Sequence, residues 1–295
     1  MAQDLSLADA RRLIPAPVLA RIPGCESGQL PNAVTVLAGG TVNTSLRVQT
    51  RAGSYVVRLH DPAGRFLGAD HAREAQLQAA AAAAGLAPAV VYADPAQGFM
   101  ITQFVAGRPW EAADFSRPEL LWRLGERLRA LHTLKAPVVA RFDLGAILRH
   151  HAAELVRALP AEEPLLLALL RAAEAALALC MQGGRGAAIV HNDLHHSNLI
   201  QARELCLIDW EYAAVADPIF DLACVLAYYP VTQSHAQSLR DAAGLATAGS
   251  AQELAAATSL FVLLSFLWYR RRRLTSAVEA ADLATEQALL RRLGV

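Results

Sequence analysis

Ile189-Val190-His191-Asn192-Asp193-Leu194-His195-His196-Ser197-Asn198-Leu199-Ile200 is the stretch that decides the fold, and Leu207-Ile208-Asp209-Trp210-Glu211 completes it, with Asp209 eleven residues after Asn198. Apolar residues precede His191, follow Asn198 and precede Asp209. Short apolar runs of this kind read as buried strands. Three such strands are expected to present His191 and Asp193, Asn198, and Asp209 at adjacent ends. Phosphoryl transfer asks little covalent chemistry of a protein: it needs an attacking hydroxyl held in line and cations to neutralise phosphate charge. A carboxylate beside the hydroxyl can accept its proton, a role that suits Asp193. A carboxylate with an amide carbonyl suits Mg²⁺, which prefers oxygen ligands, and Asp209 with Asn198 forms that pair. Zinc held by His191, His195 and His196 is the competing reading. Their spacing is not that of two histidines one helical turn apart, and Asn and Asp would have to complete the set, so zinc is disfavoured.

Working outward, the first third of the chain carries strand signals. Val34 to Leu37, Ser45 to Val48 and Tyr55 to Leu59 are short β-branched runs punctuated by glycine, which predicts antiparallel hairpins. Asp70 to Ala84 is rich in Ala, Glu, Gln and Leu and predicts a helix stopped by Gly85. Val90 to Tyr92 and Phe99 to Thr102 predict two further strands around the Asp94-Pro95 turn. After Gly107-Arg108-Pro109 the pattern becomes helical: leucines 121, 124, 128 and 131 recur at helical spacing. Residues 154–159, 162–181 and 253–273 read the same way. The expected fold class is α+β with two lobes. Residues 1–102 form a small antiparallel β-rich nucleotide-binding lobe, 103–107 a hinge, and 108–295 a larger helical lobe with the catalytic loop and substrate site.

Composition narrows the classes. Of 295 residues 54% are hydrophobic and 18% charged, which is globular. Lys and Arg total 27 against 27 Asp and Glu, so net charge gives no pull toward nucleic acid. Cys25, Cys180, Cys206 and Cys224 form no CxxC pair and predict scattered buried thiols in a reducing compartment. The start of the chain lacks the basic and apolar pattern of a signal peptide. The apolar run near 255–268 is short for a bilayer span and predicts a buried core helix. Arg270 to Arg273 behind it could meet lipid headgroups, but reads first as cations at a helix C-terminus. A cytoplasmic protein with a small-molecule partner and no membrane span is the expectation; no oligomeric state is read.

The loop of His191, Asp193 and Asn198, with the apolar-apolar-Asp209 that follows, resembles the catalytic loop and metal-binding Asp of the protein-kinase-like fold. The version here is closest to the aminoglycoside phosphotransferase and choline kinase superfamily. Asp209-Trp210-Glu211-Tyr212-Ala213 resembles its bacterial choline kinase and thiamine kinase branch, and Asp217-Pro218 with Asp221-Leu222-Ala223 follows at that family's distance. The resemblance implies a two-lobed kinase-like fold, ATP and Mg²⁺, and an alcohol acceptor. It makes Asp193 catalytic, His191 and Asp221 supporting, and Asn198 and Asp209 the metal ligands. Gly39, Gly40 and Asn43 match the turn over the phosphates, where glycines let backbone amides approach oxygen. Arg58 stands where the family has a phosphate-contacting Lys, with Glu74 as its ion-pair partner. Arg keeps the charge but offers a planar fork, and the plainer alternative is an ordinary solvent-facing strand Arg. Thr102 and Phe104 match the segment that would bind adenine through its backbone. Glu211 and Trp268 are the substrate-pocket candidates.

The expected activity is γ-phosphoryl transfer to choline, ethanolamine or thiamine. An aminoglycoside phosphotransferase is the alternative. A catalytically dead nucleotide-binding regulator is a third reading. Arg58 favours that third reading, and the intact Asp193, Asn198 and Asp209 argue against it.

Overall fold

The structure, a computed structural model, describes residues 3–37, 43–62, 64, 68–139, 142–180, 184–245, 251–274 and 280–295. By contacts the chain forms two compact units. One is Met1–Trp110 with Ser197–Tyr212, and the other is Glu111–His196 with Ala213–Val295.

The first unit is built on a six-stranded antiparallel sheet in the order β1-β2-β3-β4-β6-β5. The strands are β1 (Gln3–Leu5), β2 (Ala33–Val36), β3 (Thr44–Thr50), β4 (Gly53–Leu59), β5 (Val90–Asp94) and β6 (Phe99–Gln103). β3 and β4 form a tight hairpin with Thr50 opposite Gly53, whose φ is +148°. Strand side chains alternate between faces. Val34, Leu46, Val48, Val57 and Ile101 therefore point one way, into a cluster with Ala10, Ile14, Val18 and Ile22. Those last four come from α1 (Leu7–Leu13), α2 (Ala16–Leu19) and the turn after it, elements the sequence pattern did not announce. Each fully buried Ile contributes about 1.5–3 kcal/mol.

Arg58 follows Val57, so it projects from the opposite face. There α3 (His71–Ala83) lies against β5, N-capped by Asp70, whose carboxylate accepts from Arg73 N, and closed by Gly85 at φ +70°. The helix matches its predicted limits.

Three short strands complete this unit: Arg108–Pro109, Leu199–Gln201 and Leu205–Leu207. They explain why the grouping departs from the 1–102, 103–107 and 108–295 division. Arg108 pairs with Gln201, Trp110 N donates to Leu199 O, and Leu207 N donates to Leu86 O. The backbone partners of 199–207 thus lie in the first unit, and residues 103–110 are continuous with it.

The second unit is helical: α4 (Pro118–His132), α5 (Leu144–Ala158), α6 (Glu163–Cys180), α7 (Ile219–Tyr228), α8 (Ala236–Ala242), α9 (Ala251–Arg272) and α10 (Ala280–Arg292). A two-stranded ribbon of Ala188–Val190 and Ala214–Ala216 accompanies them. The leucine stripe of α4 is buried as its spacing predicts. Gly125 in it permits close approach to α8, because a Cβ there would lie 2.5 Å from that of Ala242.

By length and composition α9 could cross a membrane, yet it packs against α5, α6, α7 and α10, and half of its most apolar window is buried. The arginines at its end do more than face the helix dipole. Arg270 pairs with Glu162 and Glu286, Arg272 with Asp282, and Arg273 with Glu286, while Arg271 is buried. The run is thus committed to acidic partners in its own unit. All four cysteines are buried and none forms a disulfide.

Candidate active site

The motif that opened the sequence is divided between the units: His191 and Asp193 belong to the second, Asn198 and Asp209 to the first. In the second unit, one face of α7 holds the loop of residues 191–194. Asp221, Cys224 and Tyr228 stand three and four residues apart, the spacing that aligns side chains along a helix. The Asp221 carboxylate accepts from His191 N at 2.9 Å and Asn192 N at 2.9 Å, and meets His132 Nε2 at 2.9 Å. Leu194 N donates to Cys224 Sγ at 3.2 Å. The Tyr228 hydroxyl donates to Asp193 Oδ1 at 2.8 Å.

His191 is fully buried, and its Nδ1 accepts from Asp193 N at 3.3 Å. His195 Nε2 lies 3.4 Å from Asp193 Oδ2. Asn192 has φ +63°. Residues other than glycine are held in that region at some cost, a pattern that clusters at functional sites.

These contacts set the charge of Asp193. Burial pushes its carboxyl up, but the hydrogen bond and charge of His195, the charge of His191 and the Tyr228 hydroxyl outweigh burial and hold it below its ordinary value. Asp193 is therefore a carboxylate at neutral pH. Conversely, burial first and Asp193 second push the Tyr228 phenol well up, so it remains a donor.

In the first unit, the Leu199–Gln201 and Leu205–Leu207 hairpin pairs Leu199 with Leu207, and Ile208 N donates to Asn198 O at 2.9 Å. That pairing sets Asn198 and Asp209 at one end of one hairpin. Asp209 also has φ +63°. The Arg58 guanidinium contacts both Asp209 and the fully buried Glu74. Arg58 is itself buried, which excludes the solvent-facing strand Arg. An amide oxygen and a carboxylate at one hairpin end are hard oxygen donors and fit Mg²⁺. The neighbouring guanidinium, anchored by Glu74, is a cation of the type that binds phosphate.

The remaining candidates fall as follows. Asn43 Nδ2 donates to Glu211 Oε2 at 2.6 Å, and Asn43 Oδ1 accepts from Asp61 N at 3.1 Å. Glu211, expected beside substrate, thus has its carboxylate engaged by Asn43. Gly39 and Gly40 lie outside the described residues. Thr102 is buried in β6 opposite Val56 and Val90. Phe104 N donates to Ser54 O at 3.0 Å, and Arg47 covers the Phe104 ring.

Trp268 meets Tyr269 edge to face and carries Arg272 over its ring at 5.5 Å. Its neighbour Tyr269 is the residue coupled to the loop: burial, Asp282 and then Asp193 raise its phenol. Cys224 and His132 were not singled out from sequence as site residues, and Tyr228 and Tyr269 stood only among the aromatic residues of which a subset could cage a cationic headgroup. The seven-residue step from Asp221 to Tyr228 on one helix was the available signal for Tyr228.

The family model for the phosphotransferase enzyme family matches residues 33–257. No curated protein matches the chain in sequence. Among solved structures, a choline/ethanolamine kinase family protein from Mesorhizobium loti is 24% identical, with a TM-score of 0.75 over 98% of this chain and 94% of that one. A choline kinase from Streptococcus pneumoniae is 17% identical, with a TM-score of 0.74 over 88% of this chain and 94% of that one. A spectinomycin phosphotransferase in complex with ADP and spectinomycin is 12% identical, with a TM-score of 0.59 over 90% of each chain. At these identities the likeness shows the fold, an α+β kinase-like one.

Proposed function

Since the chain belongs to the phosphotransferase enzyme family, we propose that it is an ATP- and Mg²⁺-dependent kinase that phosphorylates a hydroxyl group of a small molecule. The observation that carries this reading is the Asp193 carboxylate, kept ionised and aimed by Tyr228 and His195 on a loop gripped by Asp221. A carboxylate held so far below neutrality is a weak base. Its main contribution is to orient the acceptor hydroxyl and to receive its proton late, as bond formation to phosphorus makes that proton acidic. Arg58, held by Glu74, draws the ATP phosphates. Asn198 and Asp209 would hold Mg²⁺, which when bound neutralises charge on the phosphate oxygens. Asn43, tied to Glu211, stands beside the segment proposed to bind the phosphates. Asp221 acts through the loop backbone.

Choline, ethanolamine or thiamine is the favoured acceptor. Tyr228 and Tyr269 bring aromatic surface to the surroundings of Asp193, and aromatic faces attract cations. Similarity to choline kinases supports the same class. An aminoglycoside is the second reading, because the chain is also similar in fold to a spectinomycin phosphotransferase. The acceptor is decided by ADP release from purified protein with Mg·ATP, across choline, ethanolamine, thiamine and an aminoglycoside such as kanamycin. One acceptor should stimulate turnover, and Asp193→Ala should lower it by about 10²–10⁴-fold with nucleotide binding retained. ATP bound but never transferred to any acceptor would refute the kinase reading in favour of a regulatory nucleotide-binding protein.

A further inference from the structure

At the start of α3 the first unit gathers a second set of ligating side chains. His71 Nδ1 lies 3.1 Å from Glu74 Oε2, and His60 Nε2 lies 4.0 Å from the same oxygen. One ligand atom from each of the three residues lies within 4.8 Å of the other two. The side chains of His60, His71 and Glu74 are all buried. A cavity of about 270 Å³ reaches the two imidazoles and is also lined by Asp61, Gln97 and Gly98.

We propose that His60, His71 and Glu74 form a zinc site, separate from the Asn198 and Asp209 pair. Two imidazoles and one carboxylate are a borderline donor set that suits Zn²⁺ and is poor for Mg²⁺, which favours oxygen throughout. The spacing fits as well. Two ligands about 2.1 Å from a tetrahedral ion stand about 3.4 Å apart, close to the His71 and Glu74 separation. His71 and Glu74 are one helical turn apart, so the backbone already aligns them. The His60 backbone is pinned by its N–H to Gly98 O at 2.8 Å. The two rings stack with centroids 3.6 Å apart and must fan open for both nitrogens to face one ion. Asp61 or water, entering through the cavity, supplies the fourth ligand.

Glu74 is shared: one of its oxygens meets Arg58 and the other faces the histidines. Zinc and Arg58 would therefore draw on the charge of one carboxylate, each at its own oxygen. Resting on the kinase reading above, this makes the site inhibitory: an occupied site loosens Arg58 and weakens nucleotide binding.

The test is zinc uptake by the full-length chain without nucleotide, by competition against a chromogenic chelator, with Co²⁺ absorption as a second readout. One equivalent of zinc should bind, and Co²⁺ should show the strong visible bands of a tetrahedral site. His60→Gln and His71→Gln should each weaken binding by at least about tenfold, since even second-shell changes at metal sites cost that much. If His71→Gln fails to fold, His60→Gln decides, its folding checked by a thermal melt. No uptake, or uptake unchanged in His60→Gln, overturns the site. The four buried thiols cannot account for binding by folded protein that His60→Gln abolishes. ATP affinity measured with and without zinc then tests the coupling. Bound zinc that leaves ATP affinity unchanged overturns the inhibitory role. Because zinc uptake is read without nucleotide, its failure is distinct from failure of the kinase reading.

Discussion

Tyr228→Phe isolates one hydrogen bond at the centre of the proposed mechanism. The substitution keeps the ring and removes only the hydroxyl that donates to Asp193 Oδ1 at 2.8 Å. A hydrogen bond to a charged group contributes about 1.5–3 kcal/mol. Lost from the ionised form alone, that favours protonation of Asp193 by about 10- to 150-fold. The carboxyl starts below its ordinary range, and His195 and His191 still hold it down. Asp193 therefore remains ionised at pH 8 in the variant, and any loss of turnover there reports orientation. A loss of about tenfold in kcat with little change in KM for ATP is expected. The acid limb of kcat/KM should move to higher pH if Asp193 sets it. The assay is coupled ADP release from pH 5 to 9, with a thermal melt to confirm folding. A variant with wild-type kcat and an unmoved acid limb would refute the argument that Tyr228 positions Asp193.

Other consequences can be measured independently. Asp209→Ala should weaken Mg·ATP binding in calorimetry, and an unchanged Mg²⁺ dependence would remove Asp209 from the ligand set. Asp221→Ala strands two buried N–H groups, each costing about 1–3 kcal/mol, so urea unfolding should show a loss of several kcal/mol. His151 is buried, and desolvation, with Arg271 and His150 nearby, lowers its pKa to about 3. The unfolded chain then binds a proton that the folded chain refuses between about pH 6.5 and 3, so stability falls as pH falls through that window. The slope is about 1.4 kcal/mol per pH unit from this group. Chemical denaturation of His151→Leu at pH 7 and pH 5 should show a smaller acid loss than wild type, and an equal loss would count against the burial argument.

Period and composition were enough for the elements that carry their own signal. The β3 and β4 hairpin, α3 with its Asp70 cap, and the leucine stripe of α4 stand where local patterning places them. The motif of Asp193, Asn198 and Asp209 carried the family resemblance and the chemistry proposed for it, because the proposed metal ligands and hydroxyl-orienting carboxylate need particular residue types at particular spacing. Local pattern said less about α1, α2 and α7. The first two are short, and α7 is apolar on every side except at Asp221, so it offers no amphipathic period.

Partnership lay mostly beyond local pattern, although the resemblance named Glu74 for Arg58. That Glu211 answers to Asn43, 168 residues away, and Arg58 to Asp209, 151 residues away, follows from strand pairing and not from either neighbourhood. The same holds for the arginine run at the end of α9, whose acidic partners come from α10 and from Glu162. A single chain specifies which side chains exist and which backbone they ride on. Which carboxylate meets which cation is decided by close packing, because a buried charge is tolerated only where the fold brings it a partner.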